Sequence, residues 1–272
     1  MIYLFSIDVE DNRPAVENVK TFQERVYINI QSYLNWLKKY NFKCTFFIVG
    51  QAAQMYPFII PELLKEGHEI ACHGQSHIPL DKMNKDDFRR DIEKNLNALH
   101  KAGASEIKGF RAPVFSLISS TKWAYEVLYE MGFSYSSSVL PARNPLYGWE
   151  NFGELPRVVD PGIIELPMTL AHFGLLKVPA GGGIYFRVLP EFFISWFFNK
   201  RLNGDRAVLG YFHPYDIDSG QEKFMHPGIN DNKIYNWLIY LNRSKVFDRL
   251  DHIIQKGCQI ITYKEYIEKI NI

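Results

Sequence analysis

Little in this sequence is extreme, and each shortage removes a class of protein. Charge is nearly balanced, with 31 Lys and Arg against 30 Asp and Glu for a net of +1. No broad cationic surface is therefore expected to attract nucleic acid or an anionic membrane. Cysteine is scarce: Cys44, Cys72 and Cys258 are isolated in apolar runs, which reads as reduced core thiols in a reducing compartment, not as a disulfide framework. Nowhere does an apolar run reach the length of about 18 residues that a membrane-spanning helix needs. No export signal is expected either, because carboxylates arrive as early as Asp8, with no cationic start or long apolar stretch before them. These shortages together predict a cytoplasmic protein. No Ser/Gly-rich or charge-block linker divides the chain, so residues 1–272 are expected to form a single domain.

What is present suffices for a large core: 47% of residues are hydrophobic and 22% charged. Short β-rich runs at 2–9, 44–50, 68–73, 107–111, 133–138, 163–166, 207–213 and 258–262 alternate with longer stretches. Those at 22–40, 57–66, 86–102, 121–131, 190–202 and 245–256 carry apolar residues at helical spacing. Gly67, Gly103, Gly132, Gly204 and Gly257 follow helical stretches as capping glycines would. Alternating strands and helices imply an α/β fold with a mainly parallel sheet, doubly wound or closed into a barrel. In both forms function collects at the carboxyl ends of the strands. The less regular region 141–183, with Tyr147, Trp149, His172 and the run Gly181-Gly182-Gly183, is either a wall of a substrate cleft or a plain connection.

Titratable residues follow several of the predicted strands. In Asp8-Val9-Glu10-Asp11 three acids crowd a strand end, where their repulsion needs a cation or an arginine unless they cap a turn. Strand alternation puts Asp8 and Glu10 on one side, so one can hold a metal while the other acts as a base. His73 and His77 are four apart. If one helical turn follows the strand, both imidazoles share a face and can share a metal; otherwise they are a structural pair. Arg111 ends an apolar strand and needs a carboxylate partner, either in a structural ion pair or orienting Asp8. His213, in Phe212-His213-Pro214, suits proton donation to a leaving amine. Of the remaining histidines, His172 and His226 are weak cleft candidates, and His68, His100 and His252 are unassigned.

With these residues assembled, the chain resembles the NodB-like polysaccharide deacetylases, carbohydrate esterase family four, in the branch whose first motif spaces its acids. The resemblance runs through Asp8-Val9-Glu10-Asp11, Thr45-Phe46-Phe47, His73-Gly74-Gln75-Ser76-His77, Phe110-Arg111-Ala112-Pro113 and Phe212-His213-Pro214. It implies a distorted (β/α)7 barrel and hydrolysis of an N-acetyl group on an amino sugar, with one divalent metal, most often zinc. It further implies that His73 and His77 are metal ligands, Asp8 the general base, Arg111 its partner and His213 the general acid. Glu10 is the expected third ligand, with Asp11 as the competing choice, since the compact family motif places the metal acid at the position of Val9. Ser136 departs from the family too, standing where many relatives carry an acid. The implied partner is an amino-sugar glycan of a surface polysaccharide, or its nucleotide- or lipid-linked precursor, the last placing the protein at the inner membrane surface. Two alternatives follow: a hydrolase of a small cyclic amide or ureide, and a catalytically silent carbohydrate-binding barrel.

Overall fold

A computed structural model describes residues 1–11, 13, 22–174, 176–202, 204, 206–226, 229 and 231–270. Its layout starts from β1 (Ile2–Val9), whose side chains alternate between the two faces of the sheet. Tyr3, Phe5, Ile7 and Val9 enter the main core. Leu4 enters a second, inner core with Phe47, Ala71, Tyr135 and Tyr263, and alternation puts Ser6 and Asp8 on that inner side. Burial on both faces is what a parallel strand requires.

Ten further strands follow: β2 (Thr45–Ile48), β3 (Glu69–Cys72), β4 (Gly109–Phe110), β5 (Tyr135–Ser136), β6 (Arg157–Val159), β7 (Ile163–Glu165), β8 (Ala171–Phe173), β9 (Leu176–Val178), β10 (Val208–Phe212) and β11 (Gln259–Ile260). The main sheet has nine strands in the order β10-β1-β2-β3-β4-β5-β7-β6, with β11 paired to the start of β1. Every pairing in it is parallel except β6 with β7. Among the described residues the strand pairing of this sheet does not close into a ring. A separate antiparallel ribbon, β8 with β9, lies in the region expected to be irregular.

Among the described residues ten α-helices complete the fold: α1 (Val26–Lys39), α2 (Gly50–Met55), α3 (Ile59–Lys65), α4 (Lys85–Lys101), α5 (Ala124–Glu130), α6 (Gly183–Val188), α7 (Glu191–Arg201), α8 (Lys233–Tyr240), α9 (Val246–Gln255) and α10 (Tyr263–Ile267). Six of them fall on the stretches read as helical. The others, α2, α6, α8 and α10, are short, with five to eight residues each. Gly67, Gly103, Gly132 and Gly257 take the left-handed conformation of a helix cap. Gly204 does not: α7 ends at Arg201 with Leu202 as its cap, so Gly204 lies one position past the capping site. The three cysteines are free and buried, and no described helix is long and apolar enough to cross a membrane.

The glycine run packs against a strand. A Cβ on Gly182 would lie 2.2 Å from the carbonyl oxygen of Tyr211, and one on Gly181 2.4 Å from that of Leu209, so only glycine lets this segment lie on β10. Gly182→Ala is expected to destabilise the fold by about 1–3 kcal/mol, the usual penalty of overpacking. Denaturant unfolding would show this as a lower midpoint with an unchanged slope.

Candidate active site

Chain geometry carries each candidate residue to the same end of the sheet. Asp8 is the penultimate residue of β1 and Glu10 follows it. His73 follows β3, Arg111 follows β4, and His213 follows β10. Glu10, His73 and His77 bring their ligand atoms within 4.8 Å of one another. His73 is buried, whereas the side chain of His77 keeps 29% of its exposure and opens the centre to solvent.

The two histidines do not share a helical turn. Residues 73–77 form an irregular loop in which Gly74 and His77 both adopt positive φ, at 73° and 53°. The rings meet edge to face at 5.0 Å because of that bend. Helix α4 holds the loop: Asp91 Oδ2 accepts from the Gln75 amide at 2.7 Å and from the Ser76 amide, and Asn95 Nδ2 donates to the Gly74 carbonyl at 2.5 Å. His73 Nδ1 donates to the Arg111 carbonyl at 2.8 Å, which leaves Nε2 with its lone pair directed at the cluster.

Glu10 is the acid of this cluster, and Asp11 is not. Asp11 turns away to Arg13 at 2.5 Å and to the Tyr56 hydroxyl at 3.1 Å. Glu10 Oε2 stands 2.7 Å from His77 Nε2 yet accepts no well-aligned hydrogen bond while fully buried. Burial alone would raise the Glu10 pKa, but His77, His213 and His73 hold it well below the carboxylate range. Burial pushes His73 down to about 4, and at His77 the Glu10 carboxylate outweighs burial and raises the imidazole. Glu10 Oε1 accepts from the Tyr215 hydroxyl at 3.2 Å, and the buried Oε2, without an aligned donor and facing two imidazole nitrogens, fits a divalent cation bound with an open coordination position.

Beside this cluster, Asp8 Oδ1 accepts from Arg111 Nη1 at 2.6 Å, and Asp8 Oδ2 lies 3.9 Å from His73 Nε2. Arg111 is wholly buried and stacks on Phe47 at 4.0 Å, with further bonds to Ser6 Oγ, to the Ser137 carbonyl and to the Tyr263 hydroxyl. On the other side, His213 Nε2 faces Glu10 Oε1 at 3.8 Å, and its Nδ1 donates to Asp216 Oδ2 at 2.9 Å.

Three residues of this centre had no place in the sequence reading. Asp216, three positions after His213, orients that ring. Arg187 of α6 pairs with Asp216 at 2.9 Å. Glu165 pairs with Ser136 across β5 and β7. It accepts from the Ser138 and Val139 amides at 2.8 and 3.0 Å and from the Ser136 hydroxyl. The acid missing at Ser136 is thus matched by one on the adjacent strand. An acid inside the apolar run Ile163-Ile164-Glu165-Leu166, and one three residues past a strand-end histidine, were the available signals.

Residues 19–135 match the family described as Polysaccharide deacetylase, and residues 137–268 match one described as Domain of unknown function (DUF3473). The chain therefore carries a polysaccharide deacetylase domain of the NodB type. It is 36% identical over 94 residues to a peptidoglycan-N-acetylglucosamine deacetylase of Bacillus cereus, covering 34% of each chain. It is 30% identical over 107 residues to chitin deacetylase 1 of Saccharomyces cerevisiae, covering 39% of this chain and 35% of that one. The chain thus aligns with only about a third of the length of either relative. Among solved structures, one described as a putative polysaccharide deacetylase of Mycobacterium smegmatis superposes with a TM-score of 0.64 at 18% identity, over 99% of this chain and 89% of that one. A CE4 family pseudoenzyme of Bacillus anthracis gives 0.54 at 10% identity, over 97% and 64%. These likenesses place the chain in the mixed α/β fold of the deacetylases.

Two measurements probe the centre. Burial would lower the His213 pKa, but Asp216 raises it to about 9. That lies above the unfolded value of about 6.5, so the stability it contributes to the metal-free protein is fully present below pH about 6.5 and is lost as pH rises through 9. In Asp216→Asn the imidazole pKa should drop below its ordinary value, read by NMR titration, and this alkaline loss should flatten. Burial already raises the Glu165 pKa. Ser136→Asp would set a second carboxylate beside it, so one of the two must stay protonated. That variant should lose stability progressively as pH rises above about 4, measured by thermal unfolding across pH.

Proposed function

We propose that the protein is a metal-dependent deacetylase that removes the N-acetyl group from an amino sugar of a polysaccharide or its precursor. The observation that carries this reading is the convergence of Glu10, His73 and His77 beside two differently tuned proton carriers, Asp8 held by Arg111 and His213 held by Asp216. The fold alone does not carry it, since a structure described as a pseudoenzyme shares that fold. The relatives named as peptidoglycan and chitin deacetylases support the substrate class.

Two imidazoles and one carboxylate suit zinc, which supplies Lewis-acid polarisation and a water acidified towards neutrality. Arg111 occupies Asp8 Oδ1, so Oδ2 is left to take the proton of the attacking water. Asp216 fixes the ring of His213 and holds its proton, leaving Nε2 directed into the centre to protonate the departing amine. The turn after Arg111 places Val114 in the left-handed region, at φ 49°. Such a conformation is strained for a β-branched residue, and it suits a backbone amide aimed at the developing oxyanion. Acetate and the free amine are the products.

Asp8→Asn is expected to keep its metal and lose turnover by about 10²–10⁴-fold, whereas His77→Ala should lose the metal itself. Acetate release from N-acetylated chito-oligosaccharides, measured alongside elemental analysis, separates the two. Full metal-dependent activity in Asp8→Asn would remove the base from this scheme, and stoichiometric metal with glycan binding but no acetate would favour a silent binding protein.

A further inference from the structure

Helix α7 leaves a row of side chains uncovered that the catalytic centre does not use. Phe192, Trp196 and Lys200 recur every four residues along one face, and Phe192 and Trp196 keep 67% and 41% of their exposure. The rings are held in place: Trp196 packs against Phe173 of β8 at 5.5 Å, Phe173 meets Phe193 edge to face at 4.8 Å, and Phe192 lies 4.3 Å from Phe193. An open cleft of about 920 Å³ runs along this row, with Ser195, Asn199 and Lys256 beside the rings. A second hollow of about 370 Å³ on the far side of Trp196 adds His172, Arg201 and Arg206.

We propose that this cleft is a second carbohydrate-binding site, which takes a stretch of acidic sugar residues on Trp196 and Phe192. Flat aromatic faces accept the apolar C–H faces of pyranose rings. Residues four apart on a helix are spaced by about 6 Å along its axis, close to the length of one sugar unit, so the two rings can receive consecutive sugars. Charge selects the acidic class. Lys200 lies over the Trp196 ring at 5.3 Å, and Lys200 and Lys256 face a single lining carboxylate, Glu191, which His252 already engages at 3.4 Å. The polar Ser195 and Asn199 interleaved with the rings favour a bound chain over a bilayer, which an uninterrupted apolar helix face would enter. The site lies in the stretch 137–268, outside the deacetylase match. It rests on the reading that the protein handles glycans, but not on its catalytic residues.

The test is calorimetric titration of the full chain with a hyaluronan octasaccharide, which alternates uronate with N-acetylglucosamine, and with a neutral chito-oligosaccharide of similar length. The acidic chain should bind about tenfold more tightly. Trp196→Ala and Lys200→Glu should each lose about tenfold in that affinity, a difference of about 1.4 kcal/mol, with acetate release from a disaccharide unchanged. Phe192→Ala, at the most exposed position, repeats the measurement if Trp196→Ala fails to fold by circular dichroism. Undiminished hyaluronan binding by the folded variants overturns the proposal, and so does equal affinity for the neutral chain. Binding to phosphatidylglycerol vesicles that needs Trp196, without hyaluronan binding, also overturns it and makes the face a membrane contact. Trp196-dependent hyaluronan binding without acetate release from any substrate refutes the catalytic reading and leaves this one standing.

Discussion

Burying a guidinium group is affordable only when every donor finds a partner, and Arg111 meets that condition at the middle of the molecule. Its bonds reach Ser6 and Asp8 on β1, Ser137 after β5 and Tyr263 at the start of α10, while Phe47 of β2 covers its face. One side chain thus joins four separated segments of sequence and fixes the orientation of Asp8. The Arg111 carbonyl adds a fifth tie by accepting from His73. The geometry of the candidate site and the inner core are here the same set of contacts.

Around that arginine the charges are arranged in alternation. Asp8 is neutralised by Arg111, Glu10 by the histidines, and Asp216 by His213 together with Arg187, which with burial opposing them hold its pKa down to about 2. Each of these three carboxylates has a cationic neighbour, whereas Glu165 is held by amides and hydroxyls alone, and His73, His77 and His213 each have one nitrogen tied to the protein or one facing Glu10. Such an arrangement separates the protonation states of neighbouring groups, which acid and base roles at a single pH require.

Much of this was legible because it rests on local rules. Strand alternation gave β1 its two faces and put Asp8 on the inner one. Strand ends marked the rim where Glu10, His73, Arg111 and His213 gather. Spacing alone misled at His73 and His77, where four residues suggested a helical turn; Gly74 and His77 instead bend the loop, an outcome set by Asp91 and Asn95 on a distant helix. The choice between Glu10 and Asp11 depended on the neighbouring Arg13 together with Tyr56 on a separate segment, which draw Asp11 away. Glu165 and Arg187 were hidden for the same reason: their partners lie on other elements. The β8 and β9 ribbon, with three residues in each strand, was not read from the sequence.

The two family matches meet at β5, an interior strand between β4 and β7, and neither one contains the whole cluster. Asp8 and Glu10 precede both, His73, His77 and Arg111 fall in the first, and His213 with its orienting Asp216 falls in the second. Neither stretch holds the cluster by itself, and β10 lying against β1 is the seam along which a shift in one half reaches the other.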